Sequence, residues 1–127
     1  MIRLLMVTPA RDSLAGFASV LERKDEVELS WAESGGGALD IVADTPVDLV
    51  VTDEFLGDMT GLELAEKMLS VNPMIHCAAV STLSSKAFHE ASEGLGILAQ
   101  LPAGPGEEQA EELFERVVDI KRRVIDI

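Results

Sequence analysis

Two kinds of apolar pattern alternate along the chain, one typical of strands and the other of helices. Short continuous or alternating apolar runs predict five strands, near residues 4–7, 27–32, 47–53, 75–80 and 97–101. Between and after them, apolar residues recur at helical spacing and predict five helices, near residues 14–21, 38–43, 62–69, 84–91 and from about 107 onward, with Ile125 on the apolar face of the last. Strands that alternate with helices in this way predict an α/β fold with a parallel sheet.

Local features refine several of these elements. The run at 27–32 alternates strictly between apolar and polar residues, which predicts an edge strand exposed on one face. Asp12 or Ser13 lies where the first helix should begin, and Ser84 and Ser85 lie where the fourth should begin, so each is a candidate N-cap. The glycine triplet at 35–37 precedes the second helix without a nucleotide-binding pattern around it, and we interpret it as a flexible loop.

The number and length of these elements predict one domain over residues 1–127. Five strands and five helices in 127 residues fit a three-layer, doubly wound, flavodoxin-like sheet of order 2-1-3-4-5. In that order the ligand crevice opens between the loops that follow strands 1 and 3. Asp53 ends the third predicted strand and is therefore expected at this crevice.

Composition and charge narrow the classes of partner. Hydrophobic residues make up 47% of the chain and charged residues 26%, as in an ordinary globular protein. The longest apolar run is too short to cross a membrane, and the single cysteine, Cys77, fits a reducing cytoplasm. A net charge of −13 argues against direct binding to nucleic acid or to an anionic membrane. A partner protein with a basic face fits this charge, and so does a simple role in solubility.

The residues from Asp53 to Leu64 carry the most specific motif. An apolar strand ends at Asp53, a turn follows, and Gly61 opens the next helix. This segment resembles the phospho-acceptor stretch of response-regulator receiver domains, and the resemblance extends over the whole chain. It implies a bacterial two-component or phosphorelay signalling domain that receives a phosphoryl group on Asp53 from a histidine kinase. It also implies Mg²⁺, held by Asp53 and by the backbone carbonyl of Phe55.

Other positions of the receiver site are matched only in part. Ser81, with Thr82 beside it, matches the hydroxyl that contacts the phosphoryl group in the family. Where the family has two adjacent acidic residues after the first strand, this chain has Thr8 and Pro9. The family's lysine before Pro102 and its switch aromatic on the fifth strand correspond here to the two apolar residues Leu101 and Leu98. Since these changes remove charges that hold the metal and the phosphate, we expect weak Mg²⁺ binding and weak or absent phosphorylation.

Three nearby carboxylates are candidates to compensate for the missing acidic pair. Glu54 follows Asp53 directly, but strand alternation should turn it to the opposite face. Asp12 lies in the loop after the first strand, where a helix N-cap is an alternative role. Glu33 is the third such residue.

The sequence therefore leaves three hypotheses open. The first is a receiver domain that acts by protein–protein contact through the face formed by helix 4, strand 5 and helix 5. Its partner would be a histidine kinase, a phosphotransfer protein, an effector domain or, in a homodimer, a second copy. The second is a receiver that Asp12, Glu54 or a partner's group makes competent for phosphorylation. The third is a small flavodoxin-like enzyme or ligand-binding domain that uses the same crevice. No nucleotide motif supports the third, and His76, Cys77 and His89 lack the spacing of metal ligands.

Overall fold

A computed structural model describes the backbone of residues 1–125 and the side chains of residues 1–123, so the predicted position of the Ile125 side chain lies outside the described part. The strands are β1 Ile2–Val7, β2 Val27–Ala32, β3 Leu49–Thr52, β4 His76–Val80 and β5 Ile97–Leu101. The helices are α1 Ala15–Glu22, α2 Gly35–Asp44, α3 Gly61–Val71, α4 Ser85–Ser92 and α5 Glu107–Ile125, with a 3-10 turn at Arg11–Ser13 before α1.

The strands form one parallel sheet of order β2-β1-β3-β4-β5. This confirms the predicted fold class and strand order. Leu5 of β1 pairs with Ser30 of β2 on one side and Val50 of β3 on the other, so β1 lies inside the sheet. The predicted edge strand β2 alternates between half-buried and exposed residues up to the buried Ala32. Among the described residues, no helix combines the length and apolarity needed to span a membrane.

Two apolar clusters, one on each face of the sheet, make up the core. One cluster packs the sheet against α1 and α5, and the other packs it against α2 and α3. Residues of β3 alternate between them, since Leu49 and Val51 join the first cluster and Val50 joins the second. Asp53 follows β3 directly, and its side chain contacts the loop before α1, whereas the side chain of Glu54 contacts the loop before α4.

Helix starts differ from the predictions in two places. Ser84 caps α4 as predicted, since its hydroxyl accepts a hydrogen bond from the Ala87 amide at 3.1 Å. Asp12 caps no helix: Leu14 precedes α1, and no side chain accepts the free amides there. The glycine triplet is not a flexible loop but the first turn of α2, which Ser34 caps through the Gly37 amide at 3.0 Å. An N-cap side chain accepts a hydrogen bond from a backbone amide that would otherwise be unpaired. This stabilising contact of Ser34 offsets the low helix propensity of the three glycines.

Candidate functional site

Asp53 lies at the carboxyl edge of the sheet, between the loops that follow β1 and β3. Its amide donates to the Val7 carbonyl at 2.9 Å, which continues the β1–β3 pairing by one residue. The backbone then turns, and the Gly61 amide donates to the Glu54 carbonyl at 3.0 Å. A Cβ on Gly61 would lie 2.5 Å from the Asp53 carbonyl oxygen, so a glycine is needed for this close approach.

Both carboxylate oxygens of Asp53 accept hydrogen bonds from the chain itself. Oδ2 accepts from Thr8 Oγ1 at 2.8 Å and from Ser13 Oγ at 2.7 Å. Oδ1 accepts from the Glu54 amide at 2.9 Å. Hydrogen bonds to an ionised acceptor are about twice as strong as neutral ones. Three neutral donors of the chain itself therefore contact the Asp53 side chain.

The loop after β1 supplies these donors in a fixed geometry. Thr8 is 1% exposed, and its hydroxyl also accepts from the Ala10 amide at 3.0 Å. Ser13 lies at the end of the 3-10 turn, which brings its Oγ within 3.2 Å of Thr8 Oγ1. Sequence reasoning considered Ser13 only as a helix start. Its role as a partner of Asp53 depends on how tightly the loop turns, and no residue pattern in the sequence shows that.

The carboxylate of Glu54 turns away from Asp53, toward the loop between β4 and α4. It accepts from the Thr82 amide at 2.9 Å and from Thr82 Oγ1 at 3.1 Å, and Ser81 Oγ lies 3.5 Å away. This is the orientation that strand alternation predicted. Ser81 is buried and its hydroxyl accepts from the Leu83 amide at 3.1 Å. Ser81, Thr82 and Glu54 therefore form one cluster, separate from the one around Asp53.

Asp58 takes part in a contact that the sequence did not predict. Its two carboxylate oxygens accept from the Gly35 amide at 3.0 Å and the Gly36 amide at 2.9 Å, at the start of α2. These backbone donors hold the pKa of Asp58 below its ordinary value of 3.8. The carboxylate also lies where the helix dipole favours negative charge. Asp58 thus fastens the β3–α3 loop to α2. The anion that the amides of Gly35 and Gly36 bind is the carboxylate of Asp58 itself.

Two of the residues that differ from the family's pattern, Leu101 and Leu98, pack in or against the core, whereas Pro9 does not. Leu101 is buried in the α1–α5 cluster, and its carbonyl accepts from the Ser81 amide at 3.0 Å. Leu98 is half-buried and packs against the same cluster. Pro9 is exposed in the loop after β1.

Positive charge is scarce at this edge. Arg11 lies in the loop after β1, but its guanidinium is 4.8 Å from the centre of the Trp31 ring. The ion pairs among the described side chains are Arg3–Glu28, Lys24–Glu111, Lys121–Asp48 and Arg123–Asp119. None of them involves Asp53 or Glu54.

The metal-binding side chains do not converge at any point in residues 1–123: no three of the Asp, Glu, His and Cys side chains there lie close enough to share an ion. Asp12 is exposed in the 3-10 turn. Glu33 is exposed at the end of β2. Cys77 is buried, which raises the pKa of its thiol to about 11.

Comparison with known proteins identifies relatives of this arrangement. The sequence model of the response regulator receiver domain family matches residues 4–102. No curated protein matches the chain in sequence.

Several solved structures share the fold over nearly their whole length. A CheY-like receiver domain protein from Methanospirillum hungatei is 24% identical, with a TM-score of 0.78 over 97% of this chain and 98% of that one. The response regulator domain of Thermotoga maritima CheB is 15% identical, with a TM-score of 0.78 over 100% and 98%. A two-component response regulator from Clostridium difficile is 18% identical, with a TM-score of 0.80 over 98% of both chains.

Proposed function

We propose that this chain, which belongs to the response regulator receiver domain family, signals by protein–protein contact. Residues 1–127 form the receiver, and Asp53 undergoes little or no phosphorylation. In this proposal Asp53 occupies the phospho-acceptor position, and Ser81 and Thr82 occupy the positions of the phosphoryl-contacting hydroxyls. The domain acts in the cytoplasm as a signalling module and not as an enzyme.

One observation carries the proposal: both carboxylate oxygens of Asp53 already accept hydrogen bonds from neutral donors. Thr8, Ser13 and the Glu54 amide occupy three of the roughly four lone-pair sites of the carboxylate, so a phosphoryl donor would have to compete with these contacts. The product would carry about 1.5 to 2 negative charges at neutral pH. Since the site offers no ion-paired cation to offset them, the transfer is expected to be unfavourable.

The residues present do not fit the Mg²⁺ that the family implies. Mg²⁺ needs near-octahedral oxygen ligands, usually including one or two carboxylates. Thr8 directs its hydroxyl proton at Asp53, so the group that replaces an acidic ligand acts as a donor to the carboxylate. Glu54, the candidate for compensation, is held by Thr82 of the β4–α4 loop. A phosphorylation-competent form would have to break these contacts or recruit a partner's group.

The remaining hypotheses receive less support. The α4–β5–α5 face contains none of the exposed large apolar residues of the described chain, which are Met1, Phe55, Val71, Met74 and Leu83. The first half of α5 exposes Glu107, Glu108, Glu112 and Glu115, so two copies that met through this half would bring like charges together. A ligand-binding enzyme would need a sizeable cavity at the carboxyl edge of the sheet. The cleft at Glu54 has a volume of 240 Å³, below the roughly 300–1,000 Å³ of small-molecule pockets.

Exposure to a small phosphodonor tests the proposal directly. The protein is incubated with acetyl phosphate and Mg²⁺, and its intact mass is followed, with a receiver that has the complete acidic pair and lysine as the positive control. We expect no gain in mass. Trp31 is a suitable reporter of binding, because its ring stacks on Arg11 in the loop that holds Asp53. Since we expect no binding, beryllofluoride with Mg²⁺ should leave the fluorescence of Trp31 unchanged.

A gain equal to one phosphoryl group, present in the wild type and lost in Asp53→Asn, would show that the site works and would overturn the proposal. Asp58→Asn is the matched control for that result. It alters a carboxylate of the same loop that does not touch Asp53.

A further inference from the structure

A cleft opens between the β3–α3 loop and the β4–α4 loop, next to the cluster around Glu54. It has a volume of 240 Å³ and is lined by Glu54, Phe55, Thr60, Leu62, Val80, Ser81 and Leu83. Most of these side chains are apolar, and Glu54 is the charged one. The space is smaller than a typical pocket for a cofactor or drug-sized ligand, which favours an occupant that inserts a single side chain.

The cleft is bordered by two large apolar side chains that are exposed to solvent. Phe55 is 67% exposed and Leu83 is 43% exposed. Their loops come from different strands, so the pair is brought together by the sheet and not by the sequence. Burying a large apolar side chain is favourable, and aromatic residues such as Phe55 are enriched at the centres of protein interfaces.

The walls of the cleft are held in place before any partner binds. Glu54 ties the two loops together through the Thr82 amide and hydroxyl. Phe55 and Thr60 form an antiparallel bridge, and Thr60 caps α3 through a reciprocal capping box with Glu63. A preformed site spends less of its binding energy on ordering loops, so even a short ligand can bind.

Charge specifies the occupant more closely. None of the ion pairs among the described side chains involves Glu54. The partners that its carboxylate contacts are neutral hydrogen-bond donors, so no ion pair neutralises it at the wall of the cleft. The whole chain carries a net charge of −13. A cationic ligand is therefore attracted over a distance and finds one fixed carboxylate on arrival.

We infer that this cleft docks a short segment of a partner protein that inserts an apolar side chain between Phe55 and Leu83 and places a lysine or arginine against Glu54. The inference rests on the proposed function, because it names the surface through which a receiver that signals by contact would act. A purely electrostatic attraction to this acidic protein would need only a cation, whereas binding in this cleft requires both the apolar and the cationic group.

Selection of short random peptides displayed on phage, with the intact wild-type protein as bait, tests this inference. The enriched peptides should share an apolar residue next to lysine or arginine. Their synthetic forms should lose about tenfold or more of their affinity for Phe55→Ala and for Leu83→Ala, as is usual for truncated anchor residues. Glu54→Gln should weaken binding and reduce its dependence on salt.

Met74→Ala is the matched control, since Met74 is 77% exposed but lies at the opposite edge of the sheet, before β4. Amide shifts of the peptide-bound protein locate the binding independently of the variants and should centre on residues 54–55 and 81–83. The inference fails if selection enriches no peptide, if the enriched peptides lack a cation, or if Met74→Ala weakens binding as much as Phe55→Ala. It also fails if the shifts lie elsewhere.

The two proposals fail separately. Phosphorylation of the wild type that is lost in Asp53→Asn overturns the contact-only function, whereas the peptide experiment still reports on the cleft. Peptides that bind without regard to Phe55, Leu83 or Glu54 overturn the cleft and leave the phosphorylation result unaffected.

Discussion

Replacing Thr8 with aspartate tests whether the hydroxyl donors replace a metal at this site. In the wild type, Thr8 Oγ1 donates to Asp53 Oδ2 at 2.8 Å from a position that is 1% exposed. Thr8→Asp removes a hydrogen bond to a charged group, which contributes about 1.5–3 kcal/mol. It also places two carboxylates roughly 4 Å apart, where repulsion reaches about 4 kcal/mol at an effective dielectric constant of about 20.

These two effects do not add in full, because the loop can relax and one carboxylate can take up a proton. We therefore expect Thr8→Asp to lower the free energy of unfolding by about 3–5 kcal/mol in EDTA, a large part of the roughly 5–15 kcal/mol typical of a domain. Urea unfolding followed by the fluorescence of Trp31, the single tryptophan, measures this change. Thr8→Val is the control, since it loses the hydrogen bond without adding a charge.

The effect of Mg²⁺ on stability then distinguishes a variant with both carboxylates restored from the wild type. Thr8→Asp combined with Pro9→Asp restores the family's acidic pair beside Asp53. At a metal concentration about 100-fold above the dissociation constant, binding should return about 2.7 kcal/mol of stability. The wild type and Thr8→Val should gain nothing comparable. If Mg²⁺ stabilises the wild type as much as the double variant, or if Thr8→Asp is no less stable than Thr8→Val in EDTA, our account of the site is wrong.

Three further variants or measurements test other contacts. Gly61→Ala should destabilise the fold by about 1–3 kcal/mol in urea unfolding, because its Cβ would lie 2.5 Å from the Asp53 carbonyl oxygen. Gly16→Ala, with nothing within 4 Å of the new Cβ, should instead stabilise α1 by about 0.5–1 kcal/mol, and equal effects of the two would refute the steric argument. The lowered pKa of Asp58 means that its contribution to stability is present above the ordinary value of 3.8 and is lost as pH falls through the lower, folded-state value. Asp58→Asn should therefore remove part of the acid dependence of stability, and an acid dependence that stays the same would contradict the contact with the Gly35 and Gly36 amides. Since burial raises the pKa of the Cys77 thiol to about 11, a thiol reagent at mildly alkaline pH should react with it only in urea, and rapid labelling of the native protein would contradict its buried position.

Much of the fold follows from local sequence patterns. The strand at 27–32 was predicted at the bounds observed for β2, and the strand at 97–101 at those of β5, because each is a compact run bounded by clear turn residues. The strand order also followed from the alternation of strands and helices and is confirmed. Helix starts were predicted less well. The pattern begins α2 near Ala38, whereas the helix begins at Gly35, because Ser34 and Asp58 together satisfy amides that glycine alone would leave free.

By itself, then, the sequence determined the family resemblance, the sheet and the position of Asp53 at its carboxyl edge. These depend on periodicity and on one contiguous motif, both of which are local properties of the chain. Only the tertiary structure decided what Asp53 and Glu54 contact. Thr8, Ser13 and Thr82 lie 45, 40 and 28 residues away from the carboxylates they bind. Such contacts arise when parallel strands bring the ends of distant loops together, and no spacing along the chain records which donor will face which oxygen.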